Sequence, residues 1–202
     1  MEVIALDVHS TTTARIGIMD IKTVIIGGAP NMLLAGWLKR NGIQYGVGYS
    51  DESGEIARNR EAVDFLAGSA DDESMLFLLD ADIAPGPGHG LDNMLTEPGE
   101  LIYCGHPARS LRCGHFGDGN LATGCMRATR RLLREISSPW FVNELNAQGT
   151  SVAQCSCNRF ARLARDRAGV NSRMVGKIYH ITKVLATIDE TGKIGIVPFA
   201  AY

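Results

Sequence analysis

No run in this chain approaches the roughly 18 consecutive apolar residues that a membrane-spanning helix needs, so no membrane span is expected. The opening Met-Glu-Val-Ile-Ala-Leu-Asp lacks a basic stretch and turns acidic early. A secretory signal peptide is therefore not expected either. Net charge is nearly absent: the formal value is -2, which gives no global pull toward nucleic acid. Cysteine is missing from the first half, and the five that follow make an odd number. Without an export signal they are expected as reduced thiols in a cytoplasm, the host cytoplasm if the protein is viral. Repeats, low-complexity tracts and clear linkers are also missing. Residues 1–202 are thus expected to form a single domain, long enough for a sizeable core.

The most informative stretch is Met75-Leu76-Phe77-Leu78-Leu79-Asp80-Ala81-Asp82-Ile83. Five apolar residues run straight into two aspartates. An unbroken run of this kind reads as a strand buried on both faces, in the middle of a parallel sheet. Asp80 and Asp82 then lie at its C-terminal end, where open α/β sheets bind ligands. Pro85, Gly86, Pro87, Gly88 and Gly90 break the chain directly afterwards. A single aspartate at a strand end often caps the next helix. Two together repel unless something cationic joins them, and a pair of hard oxygen donors suits Mg²⁺ or Mn²⁺ shared with a diphosphate.

The rest of the first half alternates strand and helix. Residues 2–8 and 14–20 read as strands around a Ser/Thr turn, which makes 1–22 an expected hairpin. Thr23 to Ile26 is a buried strand ending in Gly27-Gly28-Ala29-Pro30-Asn31. Residues 32–40 have helical spacing and stop at Asn41-Gly42. Ile43 to Val47 is a second strand, and Glu55 to Leu66 a second helix. The order predicts an α/β fold with a mostly parallel central sheet and flanking helices. In the second half, Leu101 to Cys104 is a strand, and Arg127 to Ile136 and Phe160 to Ala168 are basic helices. Residues 183–202 read as a C-terminal hairpin.

With these pieces in order, residues 23–182 resemble a GT-A-fold glycosyltransferase, a Rossmann-like α/β domain, of the small bacterial and phage type. The segment that carries the resemblance is Ile56-Ala57-Arg58-Asn59, a helix, then Leu78-Leu79-Asp80-Ala81-Asp82. The resemblance implies a cytoplasmic enzyme that moves a sugar from a nucleotide-diphosphate sugar to a hydroxyl acceptor. The acceptor could be a saccharide, a protein or a modified DNA base. It also implies that Asp80, Ala81 and Asp82 form the metal and nucleotide-sugar motif. Arg58 would face the nucleotide, Gly27, Gly28, Ala29 and Pro30 would form the turn against the base, and Asp51 would stand near the base. His180 would complete the Mn²⁺ or Mg²⁺ site with Asp80 and Asp82. On residues alone, a histidine among apolar neighbours is more often a packed core or edge residue. Ala122-Thr123-Gly124-Cys125 resembles the segment lining the sugar and acceptor cleft.

One departure stands out. Many relatives carry an acidic pair ahead of the helix that ends at Gly169, and its aspartate often serves as the base. Here that stretch is Ser156-Cys157-Asn158-Arg159, and an amide cannot take a proton from the acceptor. Asp118 and Glu144 are the alternative catalytic acids. A retaining mechanism would need no base, and a degenerate protein would hold the nucleotide sugar without turnover. Two further patterns have bland and sharp readings. Cys104-Gly105-His106 and Cys113-Gly114-His115 could bind Zn²⁺ or be a mobile loop with reduced thiols. Arg127, Arg130, Arg131 and Arg134, and then Arg159, Arg162, Arg165 and Arg167, could be solvated helix faces or a basic rim for a polyanionic acceptor such as DNA.

Overall fold

Met75 to Leu79 is buried residue by residue, as an apolar run without alternation requires. The computed structural model describes residues 14–16, 19–49, 51–68, 71–86, 91–105, 121, 123–181, 183–188 and 194–199. The elements of the first half are β1 (Ala14–Ile16), β2 (Met19–Ile26), α1 (Met32–Arg40), β3 (Gly46–Val47), α2 (Gly54–Ala67), β4 (Met75–Asp80), β5 (Ile83–Pro85) and α3 (Asn93–Thr96). The second half adds β6 (Leu101–Gly105), β7 (Cys125–Thr129), α4 (Arg130–Ile136), β8 (Glu144–Leu145), β9 (Val152–Gln154), α5 (Ser156–Ala168), β10 (Arg173–His180), β11 (Lys183–Ile188) and β12 (Ile194–Phe199).

The main sheet runs β1-β2-β4-β7-β6-β10-β5, with β3 also pairing β2. β2 is parallel to β3 and β4, and β10 is parallel to β6. β7 enters antiparallel between β4 and β6. β1 and β5 are antiparallel to their neighbours β2 and β10. Five strands therefore point one way and three oppose them, which makes the sheet mostly parallel. β11 pairs β12 and β8 pairs β9 in two small antiparallel sheets.

Alternation along the central strands sorts the core into two layers. Val24, Ile26, Leu76 and Leu78 pack with α2, α4 and α5 through Ala62, Phe65, Leu132, Leu133 and Phe160. Ile21, Ile25, Phe77 and Leu79 pack on the other face with α1 and α3 through Leu34, Trp37, Leu38 and Met94. The molecule is thus a sheet with helices on both faces.

The basic helix expected from Arg127 starts three residues later. Residues 125–129 are instead the buried strand β7, and the hydroxyl of Thr129 accepts from the Leu132 N–H to open α4. Burial of Arg127 and Arg130 explains the difference, because a periodic arginine pattern normally marks a wet face. α5 begins at Ser156, ahead of the expected Phe160, and ends at Gly169 in the left-handed conformation.

Candidate active site

The polar end of β4 is held from four directions. The Asp80 N–H donates to Gly124 O at 2.8 Å, and the Ala81 N–H donates to Ile26 O at 2.9 Å. β2 pairs Ile26 with Asp80, so Gly27 begins level with Ala81. The Ile181 N–H donates to Asp82 O at 2.6 Å, and β10 sets His180 opposite Ile83. The backbone of the distant His180 is therefore one register position from Asp82. The fourth hold is Asn31. Its N–H donates to Ala81 O at 3.0 Å, and its Nδ2 donates to Ala81 O at 2.9 Å and Ile83 O at 2.5 Å. Its Oδ1 meanwhile caps α1 by accepting from the N–H groups of Leu33 and Leu34.

Arg58 lies in the first turns of α2 and donates through Nη2 to Asp80 Oδ1. The guanidinium is nearly buried and the carboxylate mostly so, which strengthens the pair relative to a surface one. The Nε of Arg58 is buried without a hydrogen-bond partner among the described residues. Asp82 is exposed. The three residues of the Ala57-Arg58-Asn59 segment divide their work: Ala57 packs in the core, Arg58 meets Asp80, and Asn59 clamps another segment. The Asn59 Oδ1 accepts from the N–H groups of Trp140 and Phe141 at 2.9 and 3.0 Å, and its Nδ2 donates to Phe141 O.

The turn after β2 requires its glycines. Gly27 and Gly28 have φ of 91° and 124°, a conformation that side chains oppose. A Cβ at either would meet nothing within 4 Å, so open space lies beside both. Ala29 is exposed and Pro30 partly so, and Asn31 follows. Asp51 is exposed in the turn ahead of α2. Thr123 is buried, with its hydroxyl 3.1 Å from Cys157 Sγ near the start of α5. Gly124 touches Asp80 as given above, so the small-residue segment does reach the aspartate turn. Asn158 sits half-buried in the first turn of α5.

Glu144 is engaged by α5: its Oε1 accepts from Arg159 Nε at 3.2 Å and Arg162 Nη2 at 2.7 Å. Asp118, Ala122, His106, Cys113, His115 and the side chain of His180 lie outside the described residues. Among the described residues, no group of three or more His, Cys, Asp and Glu could hold a metal ion. Cys104 is fully buried beside Cys125, whose thiol is pushed well up, first by burial and then by its hydrogen bond with Cys104. No disulfide joins Cys104, Cys125, Cys155 or Cys157. No helix among the described residues is long and apolar enough to cross a membrane.

Sequence reasoning missed Asn31 and the two buried arginines. A polar residue directly before an apolar helical stretch is an N-cap signal, and Pro30-Asn31 gave it. Nothing local marks the second half of Asn31's work, because its carbonyl partners lie 50 and 52 residues away. Arg127 is wholly buried and donates to the carbonyls of Met94 and Glu97. Burial first, then the charge of Arg173, lowers its guanidinium to about 10, so it stays charged at neutral pH.

No protein-family profile and no curated protein matches the chain. Solved structures do. The crystal structure of A197 from STIV aligns with a TM-score of 0.54 at 16% identity, covering 87% of this chain and 93% of that one. A mutant Drosophila β-1,4-galactosyltransferase 7, in complex with manganese, UDP-Gal and xylobiose, aligns with a TM-score of 0.48 at 15% identity, covering 81% of this chain and 71% of that one. At 16% identity the likeness to A197 is one of fold. With a mostly parallel sheet and helices on both faces, the chain has a Rossmann-like, GT-A type α/β fold.

Proposed function

We propose that this protein is a metal-dependent glycosyltransferase that moves a sugar from a nucleotide-diphosphate sugar to a hydroxyl acceptor. The observation that carries the reading is the Asp80-Ala81-Asp82 turn at the C-terminal end of the central strand, with a nearly buried guanidinium on one carboxylate and an open glycine turn beside it. Open α/β sheets bind ligands at such an edge. A carboxylate pair of this kind is a hard donor set that fits Mn²⁺ or Mg²⁺, and His180 enters the same corner through its backbone. We assign Asp80, Asp82 and His180 as the residues that would hold the metal. When bound, that ion neutralises negative charge on the diphosphate leaving group.

The chain's own groups have separate tasks in this reading. Arg58 offers positive charge to the anionic donor from a site that excludes most water. Gly27, Gly28, Ala29 and Pro30 let backbone approach the base, and Asp51 is assigned to the same nucleotide. Asn31 holds the carbonyls on either side of Asp82 and so fixes where that carboxylate starts. Asp118 and Glu144 are the candidates for the acceptor's base, and Glu144 shares its Oε1 between Arg159 and Arg162. A retaining route needs none. We take residues 1–202 as one such domain.

The test is Asp82→Ala. Transfer to an acceptor is expected to vanish while Tm stays within about 2 °C of the parent, since an exposed side chain contributes little to stability. Full transfer by a folded Asp82→Ala protein would falsify the assignment. In a thermal-shift screen, the right nucleotide sugar with Mn²⁺ at a hundred times its Kd stabilises by about 2.7 kcal/mol. A second reading has one observation in its favour. Asn158 lies in the first turn of α5, where the glycosyltransferases that the sequence resembles often carry an acid, which fits a protein that holds a nucleotide sugar without turnover. Slow donor hydrolysis with Mn²⁺ supports the enzyme, and donor binding with no hydrolysis or transfer supports the holder.

A further inference from the structure

Gly54 is the first residue of α2, one helical turn ahead of Arg58. Its φ is outside the left-handed region, so the backbone there does not demand glycine. Glycine is also among the poorest helix formers. Space explains the choice. A Cβ built on Gly54 falls 2.7 Å from Arg58 Nη1, 3.5 Å from Cζ and 3.7 Å from Nη2, so its three nearest atoms all belong to the guanidinium. The group that a side chain at 54 would displace is therefore the one that reaches Asp80.

We propose that Gly54 is a positioning residue for the Arg58–Asp80 pair: its bare Cα lets the Arg58 guanidinium fold back over the first turn of α2 and lie against the aspartate. The guanidinium is the flexible end of a long side chain, so a methyl group at 54 pushes it aside and leaves the helix intact. Helix stability and ligand binding then pull in opposite directions at this one position. The ligand half of the argument rests on the transferase reading, in which Arg58 attracts a nucleoside diphosphate. The positional half rests on the geometry alone.

The experiment compares the parent, Gly54→Ala, Arg58→Met and the double variant, with Arg58→Lys as the background should the Met variant fail to fold. Two quantities are read: Tm, and affinity for UDP, GDP, CDP and dTDP, each with Mn²⁺. In the Arg58→Met background, Gly54→Ala is expected to raise Tm by about 1–2 °C, less than a glycine replaced in a helix interior because position 54 is the first of α2. In the parent background that gain is expected to be cancelled or reversed, because the ion pair is displaced. Gly54→Ala is expected to bind the preferred diphosphate about tenfold more weakly than the parent, and to change nothing when Arg58 is already gone. Equal Tm gains in both backgrounds overturn the proposal, and so does parental diphosphate affinity in Gly54→Ala. A parent that binds no diphosphate overturns the transferase reading alone, since the Tm comparison still decides whether Gly54 positions Arg58.

Discussion

Asn31 serves two elements with one side chain. Its oxygen caps α1 and its amide nitrogen binds the carbonyls of Ala81 and Ile83. Asn31→Asp separates the two tasks, because a carboxylate caps a helix as well as an amide does but has no N–H to donate. It also sets a negative charge against two carbonyl oxygens. The expected cost is about 1–3 kcal/mol in urea denaturation, together with weaker Mn²⁺-dependent nucleotide-sugar binding. An Asn31→Asp protein as stable as the parent, with equal metal dependence, would show that the amide clamp is idle. This pattern of contacts also says which residues were readable beforehand. Asp80 and Asp82 stood out because an apolar run ended on them. Arg58 stood out only through its likeness to a known segment. Asn31 and Gly54 did not, since their partners are set by how separate parts of the chain meet.

At the scale of elements, strands and helices of ordinary pattern were legible. β4 announced itself by hydrophobicity, and α1 by helical spacing and the Asn41-Gly42 stop. The departure came in the basic helix expected over residues 127–136, whose first three residues belong to strand β7 and whose Arg127 and Arg130 are buried. Arg130 works on another element. Its Nη1 donates to Phe65 O at 2.7 Å, its Nη2 donates to the carbonyls of Leu66 and Gly68, and it lies over the Phe65 ring. α2 has no basic residue in its own last turn, so a guanidinium from α4 satisfies and charge-balances its C-terminus. Arg130→Met leaves those carbonyls without their donor and is expected to cost about 2–4 kcal/mol. Arg130→Lys is expected to recover only part, because one ammonium cannot match a planar fork across three carbonyls. Equal stability of Arg130→Met and the parent would dismiss the cross-helix cap.

Charge is a property of the whole molecule, and it bears on whether a nucleic acid could be the acceptor in the proposed reaction. A basic rim for DNA needs arginines whose charge faces solvent uncompensated. Arg127 and Arg130 are buried on carbonyls. Arg131 pairs with Glu100 and Glu135, and Arg134 with Asp72. Arg159 and Arg162 share Glu144, Arg165 meets Asp166, and Arg167 donates to Ile136 O. Exposed pairs of this kind add little stability, yet each acid cancels the local field that would gather phosphates. The second half of the chain does hold more Lys and Arg than Asp and Glu, so it is the pairing of these arginines, and not the net charge of -2, that argues against a rim. A duplex oligonucleotide is therefore expected to show no saturable binding at about 10 μM protein in about 150 mM salt, although non-specific DNA binders reach Kd values of roughly 10⁻⁴ to 10⁻⁶ M. Any association at low salt should lose affinity with a log–log slope no steeper than about -2, equivalent to about two phosphates neutralised. Fluorescence anisotropy across a salt series measures both. A slope of about -5 or steeper would mean that the ion pairs open to receive a polyanion, and would favour a modified DNA base over a saccharide or a protein as the proposed acceptor.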